Sequence, residues 1–162
     1  MKRLVLPLLV LILLGAFAFW WYSPVQVVKR RTAKLLDTLT LESGTGKGGR
    51  QLATYSLNSL LASEVELESP SISEANGTFQ RSEMESAFTW LCQQAKETRF
   101  DMETLHSVRI NGDRADVSLT LDGLVELPRY RPADGRYDVN FQWQLEKDGW
   151  RLTRAEWVEA GK

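Results

Sequence analysis

The chain contains one histidine and one cysteine, the side chains best suited to acid–base and nucleophilic chemistry. His106 shares the alternation of Val108 and Ile110, so it is predicted to point to the apolar side of a strand. In that position it is a weak candidate for a catalytic base. The alternative, which the sequence favours, is a hydrogen-bonded residue at the end of the sheet.

The acidic residues of the strands do not support catalysis at His106. Asp116, Asp122 and Asp138 all have the opposite parity to the apolar positions, and no acid lies centrally on the apolar face. Cys92 lies beside the apolar stripe of a predicted helix, with no histidine or acid at helical spacing to activate it, so it is predicted to be a small packing group. One histidine and one cysteine do not make a metal-ligand set. No metal site and no cofactor are predicted.

Residues 139–157 predict a β-hairpin with one apolar face. Large apolar residues occupy alternate positions on both sides of an Asp148-Gly149 turn: Val139, Phe141, Trp143, Leu145, Trp150 and Leu152. Near Thr153-Arg154 the alternation shifts by one residue, which predicts a β-bulge. The face is predicted to be chiefly packed core, because each of its residues is bulky. Its weak candidates for ligand binding are Phe141, Trp143 and Trp150, with His106 near the open end.

A strand is also predicted over residues 114–127, and its outward face, like that of the hairpin strand from Val139, carries neutral hydrogen-bonding groups where lysine and glutamate are usual on a free sheet surface. This outer patch consists of Ser118, Thr120, Asn140, Gln142 and Gln144. Two interpretations stay open: an interface with another protein chain, or a solvated sheet. Trp90, on a predicted helix, is expected to pack against a neighbouring element.

Residues 1–24 differ in composition from the rest of the chain and are predicted to be a membrane anchor or a signal segment. Two basic residues precede an uncharged run over residues 4–22, which nearly spans a bilayer core of about 30 Å as a helix. The run ends in Trp20, Trp21 and Tyr22, which favour a membrane interface and argue for an uncleaved anchor. Cleavage after the Ala16-Phe17-Ala18 pattern, with secretion, is the alternative.

The remaining residues, 25–162, predict a single α+β domain. Three helices are predicted, from Ser23-Pro24, over 50–63, and from a Ser82–Glu85 capping box to about Arg99. The helices are expected to pack on a curved, mainly antiparallel sheet of four to five strands. The loop of residues 71–81 carries an Asn76-Gly77 turn signal. With 20 basic and 21 acidic residues, no basic surface for nucleic acid is expected.

Two segments, "RINGDRADVSL" and "VNFQWQLEKDGWRL", carry a family resemblance. They resemble the nuclear transport factor 2-like superfamily, also called SnoaL-like or cystatin-like, which often shows a Gly-Asp-x-Ala-x-Val pattern and a late Asp-Gly-Trp hairpin. The resemblance implies a cone-shaped α+β domain. In catalytic members an Asp or a His–Asp pair in the cone acts as a base. Many members dimerise through the outer sheet face.

Together these features predict a membrane-tethered, exported domain without catalysis of its own that binds a partner protein or a small apolar ligand. The expected location is the bacterial inner membrane, with the domain on the periplasmic side. One rival is an enzyme of the isomerase, dehydratase or cyclase type that uses the cone cavity. A second rival is a structural component of a bacterial envelope or secretion complex. A second copy of the chain, bound through the outer patch, is the partner considered for a homodimer.

Overall fold

The computed structural model describes residues 13–15, 17, 19–70 and 76–161. The elements of the domain follow in the order α1 (Pro24–Leu39), α2 (Lys47–Asn58), β1 (Leu61–Glu68), β2 (Gly77–Gln80), α3 (Arg81–Gln94), β3 (Glu97–Asn111), β4 (Arg114–Glu126), β5 (Ala133–Glu146) and β6 (Gly149–Glu159). The predicted α+β class with three helices in the domain is confirmed for this described part of the chain.

In the described residues the strands form one six-stranded sheet in the order β2-β1-β6-β5-β4-β3. Only β1 and β6 pair in parallel there, so the predicted antiparallel character is confirmed. The predicted number of four to five strands is wrong. The additional strand is β2, which lies inside the segment predicted as a loop and pairs with β1.

The first helix begins where the sequence predicts. Ser23 precedes it in extended conformation and Pro24 opens it, because proline at the first position gives up an N–H that has no helical partner. Val28, Leu35 and Leu36 are buried in the core beneath the helix. The helix therefore covers the inner face of the sheet with a stripe at helical spacing.

The second helix is shorter at its C-terminal end than predicted. It begins at Lys47 and ends at Asn58, and the next strand begins at Leu61, so the predicted extension to Ser63 is wrong. Leu60, Leu61 and Ala62 are consecutive buried residues. A fully buried run of this length is compatible with a helix or a strand, and here the pairing of Leu61 with Leu152 of β6 decides in favour of the strand.

The third helix begins one residue earlier and ends five residues earlier than predicted. The backbone N–H of Gln80 donates to the carboxylate of Glu83 at 2.7 Å, so the cap is Gln80 and not Ser82. The chain turns to extended backbone at Ala95, and β3 follows. Trp90 is 55% exposed, so the expectation that it packs against a neighbouring element is wrong.

A buried threonine explains why β3 begins so early. The Thr98 hydroxyl donates to the carbonyl of Leu39 at 2.6 Å and accepts from the N–H of Leu41 at 3.0 Å. These bonds join the start of β3 to the end of α1. They cross nearly sixty residues of sequence, so helical periodicity around Ala95 carries no information about them.

The predicted bulge in the last strand is confirmed. Gln142 lies opposite Arg154 and Trp143 lies opposite Leu152, so Thr153 is an extra residue in β6. A bulge bends the strand that carries it and increases its twist. The sheet can thereby wrap its apolar face around the helices, as the shift of the alternation predicts.

The predicted anchor over residues 4–22 lies largely outside the described residues. Residues 13–15, 17 and 19–21 are helical, and large apolar side chains among them are exposed, including Phe17, Phe19 and Trp20. Among the residues that the structure describes, no helix is long and apolar enough to cross a membrane. The span itself remains a prediction.

Candidate functional site

The inner face of the sheet is filled by its own side chains. Phe141, Trp143 and Trp150 are each at most 6% exposed, and Trp143 is 1% exposed. Three of the four residues predicted as weak ligand contacts, Phe141, Trp143 and Trp150, therefore lie in the packed core. Leu145 differs from the rest of the face, because it lies close to the turn that ends β5 and is 45% exposed.

His106 lies on the other face, so its predicted orientation towards the apolar side is wrong. Leu105 pairs with Leu119, but Ser107 pairs with Ser118, which leaves His106 as an extra residue in β3. This bulge reverses the parity that Val108 implies for His106. The histidine is exposed and approaches Thr120, one of the outer-patch residues.

Three side chains from neighbouring strands form one hydrogen-bonded chain on the outer face. Nε2 of His106 lies 2.7 Å from the Thr120 hydroxyl, which donates to the carboxylate of Asp138 at 2.6 Å. Because a hydroxyl has one proton and this one goes to Asp138, Nε2 of His106 must be the donor in the other bond. The histidine here supplies a proton to the bond and does not accept one.

This arrangement differs from a nucleophilic triad. In a triad the histidine stands between the hydroxyl and the acid and accepts the hydroxyl proton. Here the hydroxyl stands in the middle, and Thr120 is 4% exposed, so it is not presented to a substrate. The chain of bonds ties β3, β4 and β5 together on the outer face.

The residues of the predicted outer patch do come together. In the register of β4 and β5, Ser118 lies opposite Asn140, and Gln144 lies opposite Arg114. Gln142 completes the patch on β5, and Gln144 donates to Asp113 at 2.7 Å. A groove of about 580 Å³ adjoins Gln142 and Gln144 on this side of the sheet.

Two groups that border the patch were not predicted from the sequence. Asp138 belongs to the His106–Thr120 chain, and Arg154 pairs with Glu66 and Glu68 beside the groove.

A signal for the position of His106 does exist in the sequence. Leu105 and Val108 are both apolar but differ in parity, and such a break predicts a bulge between them.

Cys92 is buried in the core, as predicted for a packing group. Burial raises the pKa of the Cys92 thiol, which opposes formation of the reactive thiolate. Nearby, Arg50 donates to the carbonyl of Ala95 at 3.0 Å and also to that of Cys92, which closes the C-terminal end of α3. Within the described residues, no group of three potential ligands among His, Cys, Asp and Glu is placed to hold a metal ion.

No protein-family model matches the sequence, and no curated protein matches it. Solved structures do match. A nuclear transport factor 2-like superfamily protein from Salmonella enterica has a TM-score of 0.65 at 10% identity, over 85% of this chain and 91% of that one. A nuclear transport factor 2-like protein with a cystatin-like fold from Novosphingobium aromaticivorans has a TM-score of 0.61 at 11% identity, over 90% and 88%.

A third similar structure is the CaMKII hub of S. rosetta, with a TM-score of 0.63 at 15% identity over 85% of this chain and 98% of that one. Other similar structures carry provisional names, one as a dehydratase and one as an aromatic ring hydroxylase. At these identities the likeness concerns the fold. The chain has the nuclear transport factor 2-like fold, and the resemblance noted in the sequence is confirmed at that level.

Proposed function

We propose that this chain is a membrane-anchored, non-catalytic binding domain whose outer patch docks a second copy of the chain. The observation that carries the proposal is the contrast between the two faces of the sheet. The inner face is filled, with Trp143 at its centre, whereas the outer face presents hydrogen-bonding groups beside an open groove. A domain with this distribution binds through its surface.

The chemistry of the outer patch suits a protein interface. Burial of a neutral amide or hydroxyl costs less than burial of a charge, and each such group can find a partner across an interface. A two-fold axis across β5 would bring equivalent Asn140 and Gln142 side chains together, so that amides pair with amides. The similarity to a structure named as a hub supports a role in assembly.

An enzymatic role has less support. A base in the cone would need a titratable group on the inner face, and the only histidine lies outside, bonded to Thr120. A small apolar ligand would have to displace core side chains such as Phe141 and Trp150. Two similar structures carry provisional enzyme names, but those proteins share only the fold with this chain.

The mass of the full chain in non-ionic micelles tests the docking proposal. We expect a dimer for the natural protein and a monomer for Gln142→Arg, because two-fold packing would bring two new charges together. The matched control is Gln93→Arg, which adds the same charge at an exposed position on α3 and should leave the dimer intact. A monomeric natural protein would refute self-docking, and a specific complex with another protein would point to a structural component of a larger assembly.

The anchor forms a separate part of the proposal. Exposed apolar side chains precede the domain, and the guanidinium of Arg30 lies 4.5 Å from the ring centre of Trp21. Tryptophan is enriched at membrane interfaces, where its ring is apolar and its N–H stays in contact with water. We place the anchor in a bacterial inner membrane with the domain on the periplasmic side. The mature protein should resist carbonate extraction and keep residues 1–18, and an N-terminus at Phe19 would establish the secreted alternative.

A further inference from the structure

A second surface, separate from the outer patch, concentrates positive charge. A groove of about 370 Å³ lies between α1, the C-terminal end of α2 and the turn that joins β5 to β6. Four cationic side chains and one carboxylate line this basic groove: Arg30, Arg31, Lys34, Arg151 and Asp148. Four positive charges against one negative charge give the groove a net charge of +3.

Two of the cations are held in fixed orientations. Arg31 donates to the carbonyl of Ser59 at 3.1 Å, and Arg151 donates to the carbonyl of Asn58 at 2.9 Å. Arg151 also pairs with Asp148, and its side chain is only 11% exposed. A ligand that uses these guanidinium groups therefore meets donors that are already ordered, which reduces the entropy cost of binding.

The electrostatics of the groove favour an added anion. Burial and the positive charge of Arg151 lower the pKa of Arg31, and Asp148 opposes this shift only partly. A hydrogen bond from Arg151 is the main cause that lowers the pKa of Asp148, so this carboxyl is already engaged as an anion. Arginine stays charged despite such a shift. Two close guanidinium groups thus share one counter-ion.

A purely structural role accounts for part of the cluster. Arg31 and Arg151 satisfy carbonyl groups at the end of α2, where cations also interact favourably with the helix dipole. That role does not extend to Arg30 and Lys34. Among the described residues no carboxylate forms an ion pair with either of them, and the ring of Trp21 leaves the charge of Arg30 in place.

We propose that the basic groove binds a phosphate group, carried either by a lipid head group or by a soluble phosphate. Phosphate presents several acceptor oxygens, and the planar donor fork of arginine binds such oxygens in pairs, so one phosphate group can bind more than one of these cations. Arg30 touches both the groove and Trp21, so the site adjoins the segment proposed to lie at the membrane. The lipid source rests on that anchor, whereas the soluble source does not.

The first arm of the test uses inorganic phosphate with the full chain in non-ionic micelles. At constant ionic strength, phosphate should raise the unfolding temperature more than chloride does, because it binds only the folded groove. Lys34→Gln should weaken the apparent phosphate affinity by about fivefold to tenfold, as expected for one lost charge-assisted contact of roughly 1 kcal/mol or more. Lys29→Gln, on the same helix but outside the groove, should leave the affinity unchanged.

The second arm replaces phosphate by phosphatidylcholine nanodiscs with and without phosphatidylglycerol. A rise in unfolding temperature with the anionic lipid, lost in Lys34→Gln and kept in Lys29→Gln, assigns the site to a head group. A response to inorganic phosphate alone assigns it to a soluble ligand. The absence of both responses, or equal losses in the two variants, would overturn the proposal. The mass measurement on the outer patch is independent of either result.

Discussion

The hydroxyl of Thr120 connects polar side chains from three adjacent strands. It lies between His106 on β3 and Asp138 on β5, and it is nearly excluded from solvent. A buried hydroxyl with two partners contributes more than a surface hydrogen bond, since neither bond competes freely with water. The residue therefore links the geometry of the outer patch to the stability of the sheet.

Replacement of Thr120 by valine keeps the shape of the side chain and removes both hydrogen bonds. We expect Thr120→Val to lower the free energy of unfolding by about 1 kcal/mol, because the exposed ends at His106 and Asp138 can recover water. Urea unfolding at fixed protein concentration measures this loss. Thr120→Ser keeps the hydroxyl and serves as the control, so a larger loss for serine than for valine would contradict the assigned role.

The position of His106 shows what strand parity can and cannot predict. Parity counted from Val108 and Ile110 places the histidine inside, but a single bulge residue reverses every side chain beyond it. The same reasoning succeeded in β6, where the shift from Trp150 and Leu152 to Ala155 was recognised as a bulge. The two strands differ because the break in β3 is visible only when Leu105 is counted as part of the strand, and the strand predicted there begins at His106.

At the scale of the element, the hairpin of β5 and β6 supplies much of the core. Trp143→Ala should lower the free energy of unfolding by about 3–5 kcal/mol, because a large buried side chain would leave a cavity. Leu145→Ala on the same strand is the matched control and should cost less than about 1 kcal/mol, since Leu145 is already half exposed. Denaturant unfolding of both variants makes the comparison. Similar losses would mean that the inner face is not packed as described.

The turn of this hairpin has a second structural requirement. Gly149 has a φ of 125°, and a methyl group added there would lie 2.8 Å from Nη2 of Arg31. Gly149→Ala should therefore cost roughly 2 kcal/mol or more, through backbone strain and through displacement of an arginine that also bonds Ser59. The measurement is again the free energy of unfolding.

Gly112→Ala provides the control for this prediction. Gly112 also has a positive φ, 65°, but an added methyl group would meet open space. Its cost should be about 1 kcal/mol, the usual penalty for a left-handed backbone in a residue with a Cβ. Equal costs at the two glycines would contradict the larger penalty expected at Gly149 from its backbone conformation and its contact with Arg31 together.

Helix and strand boundaries reveal where local patterns stop being informative. The alternation in β4 and β5 was readable because one face of each strand is buried and the other is polar. The end of α3 and the start of β1 were not readable in this way, because Ala95 and Leu61 continue apolar patterns that suit a helix as well as a strand. Long-range bonds of Thr98 and pairing with β6 settle these positions. Strand β2 is exposed over most of its short length and leaves no apolar pattern at all.

At the scale of the whole molecule, the helices cover one face of the sheet and leave the other accessible. The covered face holds the core cluster, and the accessible face holds the outer patch and its groove. The basic groove lies elsewhere, where α1 meets the last hairpin turn. A chain attached to a membrane before α1 would thus place phosphate binding near its anchor and leave the sheet surface free for a partner.

Cross-linking of single thiols tests the central claim, docking through the outer patch, most directly. Asn140→Cys places a thiol in the patch, and Lys47→Cys places one on exposed α2, while the natural Cys92 is buried. With a short bis-maleimide on the full chain in non-ionic micelles, Asn140→Cys should give a covalent dimer, and the natural protein and Lys47→Cys should stay monomeric on a denaturing gel. No dimer from Asn140→Cys, or an equal dimer from Lys47→Cys, would contradict the account.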